Sequence, residues 1–414
     1  MALEKTWRWF GRKDRISLSQ LRQFGVQGIV TSLHHKKPGE VWSVAEIREV
    51  QEEIEKAGMR WSVVESLPVS EEIKINGPRR AELIRNYVTS LQNLGQCGID
   101  TVCYNFMPVL DWARTDLHFI DANGAESMLF DYATFAAFDI YILERPGASS
   151  DYSPEVIAKA KEINEAMSQD EKDVLAYNII VVTQGFINGT VGNVSNYKQV
   201  FLDYLATYKN IDRDKLRSHL VMFLNDVIPA AEEAGVNLCI HPDDPPFSLL
   251  GLPRIASSRE DFEWIFTQNP SLANGLTFCS GSLSVRPDND LVGIVQQLAE
   301  RIHFVHLRNI KRTTTRSFYE SPHLDGVVDM YQVLEALLQE QARRIEEGRK
   351  DLRMPFRPDH GLKILDDFNR ESNPGYPLVG RMKGFAEICG LELGIESAMA
   401  KQQKSVASVA GSEG

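Results

Sequence analysis

The chain has 414 residues, 25% of them charged and 43% hydrophobic, with a formal net charge of −12 at pH 7. Such a length suits one large barrel or about two to three ordinary domains, the composition excludes a disordered chain, and the acidic balance argues against a general nucleic-acid binder. No apolar run reaches the roughly 18–20 residues that span a membrane, and the five cysteines (Cys97, Cys103, Cys239, Cys279 and Cys389) have the spacing of neither a disulfide framework nor a zinc knuckle.

The opening residues lack the apolar core of a signal peptide, so the expected compartment is the cytoplasm. A first strand is expected at Trp7 to Phe10, then a helix capped by Ser17 and a second strand from Gly28 to Leu33, ending at His34-His35. A helix from Ser43 to about Ala57, with Gly58 as its stop, leads to a strand at Trp61 to Glu65. A helix from about Arg79 to Cys97 leads to a strand at Thr101 to Phe106. Strand and helix alternate, the pattern of a parallel α/β fold.

The alternation breaks after Pro108. Residues Leu117 to Phe130 read as a hairpin turning at Asn123-Gly124. An apolar run from Phe135 to Leu143, a helix from about Pro154 to Met167 and a polar loop around Gly185 to Asn196 follow. The whole stretch, about 111–210, reads as an insertion between core strands 4 and 5 near the mouth of the fold. Alternation resumes with a helix from Arg213 to Ala234, followed by strands ending near His241, Cys279, His306 and Asp359. A helix from Met330 to Glu347 precedes the last of these strands, and Tyr376 to Cys389 closes the chain. Eight alternating units predict a (β/α)8 barrel spanning residues 1–400, with 401–414 as a disordered tail.

In such a barrel the chemistry sits where strands end. Val236 to Ile240 delivers His241 and stops at Pro-Asp-Asp-Pro-Pro246; Cys279, His306 and Asp359 occupy equivalent ends. Two imidazoles, a thiolate and a carboxylate on strands five to eight form a ligand set for one divalent ion. Each residue alone is more often structural; four in register change the balance. Asp243 and Asp244, after His241, and Arg308 and Asn309, after His306, are expected to support these ligands. His303 falls on the opposite strand face and Cys239 one layer lower, so both read as packing residues. His360, beside Asp359, and Tyr376, in a mouth loop, are candidate proton-transfer groups; the phenol could donate a proton to a leaving hydroxyl if a metal or cation lowers its pKa. His35, Asn105, Arg308 and Asn309 are candidate substrate contacts. Neither a Gly-rich nucleotide loop nor a Gly-x-Ser-x-Gly elbow is present.

The segments Trp61-Ser-Val-Val-Glu-Ser66, Cys97 through Trp112, His241-Pro-Asp-Asp-Pro-Pro246, Arg286-Pro-Asp-Asn-Asp290, His303-Phe-Val-His-Leu-Arg-Asn309, His323-Leu-Asp-Gly326, Arg357-Pro-Asp-His-Gly361 and Asn373-Pro-Gly-Tyr376 together resemble the mannonate dehydratases, over nearly the whole chain. The resemblance implies a xylose-isomerase-like TIM barrel that dehydrates D-mannonate to 2-dehydro-3-deoxy-D-gluconate in hexuronate breakdown. It further implies Mn²⁺ or Fe²⁺, a homodimer, His241, Cys279, His306 and Asp359 as metal ligands, and His360 and Tyr376 as proton-transfer residues. Leu362 departs from the polar or basic residue common after Asp-His-Gly, and Val181 to Asn196 is the least similar stretch. Two competing readings are a metal-dependent sugar isomerase or epimerase on the same barrel and a sugar-acid-binding protein without turnover.

Overall fold

The computed structural model describes residues 2–184 and 196–410. Its strands are, in chain order, β1 (Glu4–Arg8), β2 (Gly28–Thr31), β3 (Arg60–Glu65), β4 (Thr101–Tyr104), β5 (Asp116–Ile120), β6 (Glu126–Phe130), β7 (Asn237–Ile240), β8 (Asn274–Cys279), β9 (Ile302–Leu307), β10 (Asn309–Arg312), β11 (Phe318–Ser321) and β12 (Pro355–Pro358). Eight of them, in the order β1-β2-β3-β4-β7-β8-β9-β12, close into a barrel in which every neighbouring pair is parallel. The barrel expected from the alternation is therefore the observed fold.

Local chemistry explains the connecting helices. Ser17 with Gln20 and Ser43 with Glu46 form reciprocal capping boxes at the starts of Leu18–Gln23 and Val44–Lys56. The Arg213–Ala234 helix stops at Gly235, whose φ of 69° is left-handed and suits a residue without a Cβ. Inside the barrel Val30, Val63, Cys103 and Phe304 form one buried cluster, a side-chain layer that fills the lumen beneath the mouth.

Between β4 and β7 the chain makes the β5–β6 hairpin, with Gly124 at φ 81° in its turn, and then runs through helices to Arg213–Ala234. The apolar run from Phe135 becomes helical, Tyr132–Ala137 continuing into a π-helical turn at Phe138–Ile142. The polar loop expected around Gly185 to Asn196 lies outside the described residues except at its last position.

Two features differ from the expectations. The segment after β9, where no strand was expected, contains β10 and β11, which join the hairpin in a second, antiparallel sheet of order β10-β11-β6-β5. The polar run Lys311 to Ser317 hides any alternation there, and the pairing of Phe318 with Phe130 spans too much chain for local patterning to reveal. The closing helix also runs from Leu378 to Ala410, past Lys401, where a disordered tail was expected. Ala, Lys and Gln in that stretch are good helix formers. Among the described residues no helix is long and apolar enough to cross a membrane.

Candidate metal centre and active site

The end of β7 places His241 at the mouth, its backbone N–H bonded to the Tyr104 carbonyl of β4 at 2.9 Å. Cys279 ends β8, directly paired in register with His306 of β9. Their ligand atoms and one from His241 all lie within 4.8 Å of one another. Asp359, just beyond β12, brings Oδ2 to 3.7 Å from Cys279 Sγ and 3.9 Å from His306 Nδ1.

Hydrogen bonding orients these donors inward. His241 Nδ1 lies 2.7 Å from the Pro242 carbonyl, which only accepts, so the proton sits on Nδ1 and Nε2 keeps its lone pair. That Nε2 faces His306 Nδ1 at 3.1 Å, while His306 Nε2 lies 3.6 Å from Glu65 Oε2. Ser282 directs its N–H and its hydroxyl at Cys279 Sγ, at 3.5 and 3.1 Å. Two imidazole nitrogens, a sulfur and a carboxylate thus converge in a buried space, each steadied by an outer partner. A divalent cation fits this donor set.

Around it lies a buried network of guanidinium and carboxylate groups. Arg308 reaches Asp244 at 2.8 Å, Glu320 at 3.0 Å and Asp359 at 3.3 Å. Arg114, fully buried, bridges Asp244 and Glu320 at 3.0 and 2.7 Å. Arg357 holds Glu65 with two hydrogen bonds, at 2.9 and 2.7 Å, and also pairs with Asp359; Arg8 reaches Glu65 at 3.2 Å. Burial alone would raise the Asp359 carboxyl, but Arg357, His360, Arg308 and His306 together hold it well below the carboxylate range. The same contest, won by Arg308, Arg114 and His360, brings Glu320 down to about 2. These acids therefore stay ionised at neutral pH.

His360 is anchored through Nδ1, 2.7 Å from Arg308 Nη1 and 3.1 Å from Glu320 Oε1. Its ring packs edge-on to Tyr376, centroids 5.2 Å apart, and Tyr376 also meets Phe10 edge-on at 4.8 Å. Burial raises the Tyr376 phenol, outweighing Arg357 and Arg8. The phenol therefore keeps its proton. Both residues line a pocket together with His241, Asp359, Asn105, Asp111, Arg8 and Arg357.

The remaining candidates divide. Asn105 lines the pocket and donates to Asp111 at 2.8 Å. Arg308 lies at the centre of the charge network. His35 does not come to the site: it is exposed and faces Glu46 at 3.3 Å. Nor does Asn309, which is buried and bonds to the His323 and Val328 carbonyls, each at 3.1 Å, shaping the loop before the Met330–Glu346 helix. Its side chain follows strand alternation away from its neighbour Arg308. His303 and Cys239 are buried packing residues, as expected; His303 Nε2 bonds to the Leu272 carbonyl at 2.9 Å. Asp244 joins the network, whereas Asp243 instead accepts from Ala256 N–H and Ser257 Oγ at 2.8 and 2.7 Å.

Glu65, Arg114, Glu320 and Arg357 were missed as site residues. Glu65 ends an apolar strand in the same way as His241, a signal that was present. Glu320 arrives on β11, the strand hidden by its polar surroundings.

The D-mannonate dehydratase (UxuA) family model matches residues 3–403. The chain is 49% identical over 399 residues to a mannonate dehydratase of Marinomonas sp. (strain MWYL1), covering 96% of this chain and all of that protein. It is 48% identical over 401 residues to one of Rhizobium meliloti (strain 1021), covering 96% and 98% respectively. Among solved structures, mannonate dehydratase from Streptococcus suis serotype2 superposes with a TM-score of 0.75 at 31% identity, covering 96% of each chain.

Proposed function

This chain belongs to the mannonate dehydratase family, and on that premise we propose how its residues divide the reaction. The reaction is a hydro-lyase step that converts D-mannonate to 2-dehydro-3-deoxy-D-gluconate and water, in hexuronate breakdown. The proton on C2 must leave from beside a carboxylate that is already negative, and hydroxide must leave from C3. The observation that carries the reading is the convergence of His241, Cys279 and His306 within 4.8 Å, flanked by Asp359 and adjoining His360 and Tyr376.

His241, Cys279, His306 and Asp359 would hold Mn²⁺ or Fe²⁺. When bound, such an ion supplies Lewis-acid stabilisation of the charge that develops beside the substrate carboxylate. With His360 Nδ1–H donating to Glu320 Oε1, Nε2 is the nitrogen that takes the C2 proton. Tyr376, which keeps its proton at neutral pH, takes the opposite role and gives that proton to the departing C3 hydroxyl. The C2–H electron pair becomes the C2=C3 double bond, the C3–O bond breaks, water leaves, and the enol relaxes to the 2-keto acid. Trp112, 5.4 Å from the His360 ring, and Phe10 shield this proton traffic from solvent.

Arg8, Arg308 and Arg357 supply cationic surroundings for the acid, and Asn105 contacts it. The chain works as a homodimer in the cytoplasm, where Cys279 stays reduced. A periodate–thiobarbiturate assay on D-mannonate tests the assignment. With metal retained, Tyr376→Phe should lower kcat by about 10²–10⁴-fold; unchanged turnover would remove Tyr376 from the chemistry. An isomerase or epimerase would release no 2-keto-3-deoxy acid.

A further inference from the structure

Two acceptor atoms in the pocket wall are buried without a donor among the described residues: Asn105 Oδ1 and Asp111 Oδ2. Both side chains are already fixed. Asn105 Nδ2 donates to Asp111 Oδ1 at 2.8 Å, and the Asp111 backbone N–H donates to Gln184 Oε1 at 2.8 Å. Asp111 is only 3% exposed. A buried carboxylate oxygen and a buried amide oxygen, side by side and unpaired, are costly in an empty pocket. They call for a ligand that brings hydrogen-bond donors.

The barrel order says which part of the ligand this is. Asn105 follows β4, and β4 stands four places from β12 in the ring of eight, directly across the mouth. On that far side are Arg357 of β12 and Arg8 of the adjacent β1. Arg8 Nε is itself a buried donor without an acceptor among the described residues. One wall therefore lacks donors and the opposite wall lacks an acceptor, a polarity that matches a molecule with hydroxyls at one end and an anion at the other.

We propose that Asn105 and Asp111 are the specificity-determining pair of the pocket, accepting hydrogen bonds from the hydroxyls of the sugar acid beyond C2 and C3 and turning its carboxylate toward Arg8 and Arg357. This rests on the sugar-acid reading above and adds which residues measure the polyol tail. A site that hydrogen-bonds a hydroxyl rejects analogues lacking it, because its own polar groups are then left unpaired.

The test is calorimetric affinity for D-mannonate and for D-glycerate, a three-carbon hydroxy acid without the tail. Because active enzyme would consume D-mannonate during the titration, it is run on metal-loaded chains that all carry Tyr376→Phe: one otherwise wild type, and one each with Asn105→Ala, Asp111→Ala and the shape-conserving Asp111→Asn. Each variant should bind D-mannonate about tenfold more weakly or worse while D-glycerate affinity stays unchanged. Equal losses on both acids, or undiminished D-mannonate binding, would overturn the pair. Asp111→Asn keeps the decision open to experiment if the alanine variants fail to fold. Absence of 2-keto-3-deoxy acid from D-mannonate with wild type would overturn the reaction instead, and the paired affinities would still decide the role of Asn105 and Asp111. Absence of any D-mannonate binding by the chain carrying Tyr376→Phe alone would overturn both.

Discussion

Buried ionisable residues carry most of the information at the residue scale, and they fall into two kinds. Arg114, Arg308, Arg357 and Arg8 are matched by Asp244, Glu320, Asp359 and Glu65 in one network at the mouth. Removing one partner of such a network leaves an uncompensated buried charge, so the groups hold one another in place. The second kind is the histidine buried without an equal partner. His303, beneath the barrel, is lowered from its ordinary value near 6.5 to about 4, chiefly by burial and then by Arg344. In the unfolded chain it takes its proton near pH 6.5. Between pH 6.5 and about 4 the unfolded state therefore binds the extra proton, and stability falls as pH drops through that window. The slope reaches about 1.4 kcal/mol per pH unit for each such histidine. His323, buried and also lowered to about 4, acts in the same direction. Urea unfolding at pH 7 and pH 5 should show this loss, and His303→Gln should make it smaller. An unaltered pH dependence in that variant would remove His303 as a source.

At the scale of elements, the turn that follows Cys279 does more than end β8. Ser280–Ser284 is a single helical turn, and Gly281 within it packs against Arg308 so closely that a methyl group would overlap Arg308 Nε. Arg308 is buried and held by Asp244, Glu320 and Ser282, so it has little room to retreat. Gly281→Ala should shift the guanidinium, and with it His360, reducing kcat/KM by about 10²-fold while the chain still folds and binds metal. Wild-type kinetics in Gly281→Ala would show that the position of Arg308 is not critical. This level also marks how far the sequence could be read. Strands β7, β8, β9 and β12 were legible because each apolar run stops at Pro, Gly or a charged residue, and the potential ligands stand at those stops. Strands β10 and β11 were not, because Lys, Arg and Thr interrupt the pattern across them and the β6 strand that β11 joins is distant in the chain. Glu320 was hidden with them. Asn309 misled because adjacency to Arg308 in sequence suggested a shared surface, whereas strand geometry sends neighbours to opposite faces.

For the whole molecule, ring closure is what turns distant motifs into one site. β7, β8, β9 and β12 are consecutive around the barrel, so His241, Cys279, His306 and Asp359 meet although they are scattered over more than a hundred residues of chain. The second sheet adds Glu320 and so ties the mouth of the barrel to the β5–β6 hairpin, through Ser127 Oγ donating to the Glu320 carbonyl at 2.7 Å. The proposed homodimer belongs to this scale too: light scattering should return the mass of two chains, and a monomer at assay concentrations would contradict it. The central claim is that the four strand ends hold one divalent ion on which dehydration depends. Elemental analysis of protein purified anaerobically and reconstituted with Mn²⁺ or Fe²⁺ tests it most directly, alongside His241→Ala and Cys279→Ser. The account predicts one ion per wild-type chain, with both the ion and D-mannonate turnover lost from the variants; undiminished metal content in both variants would contradict it.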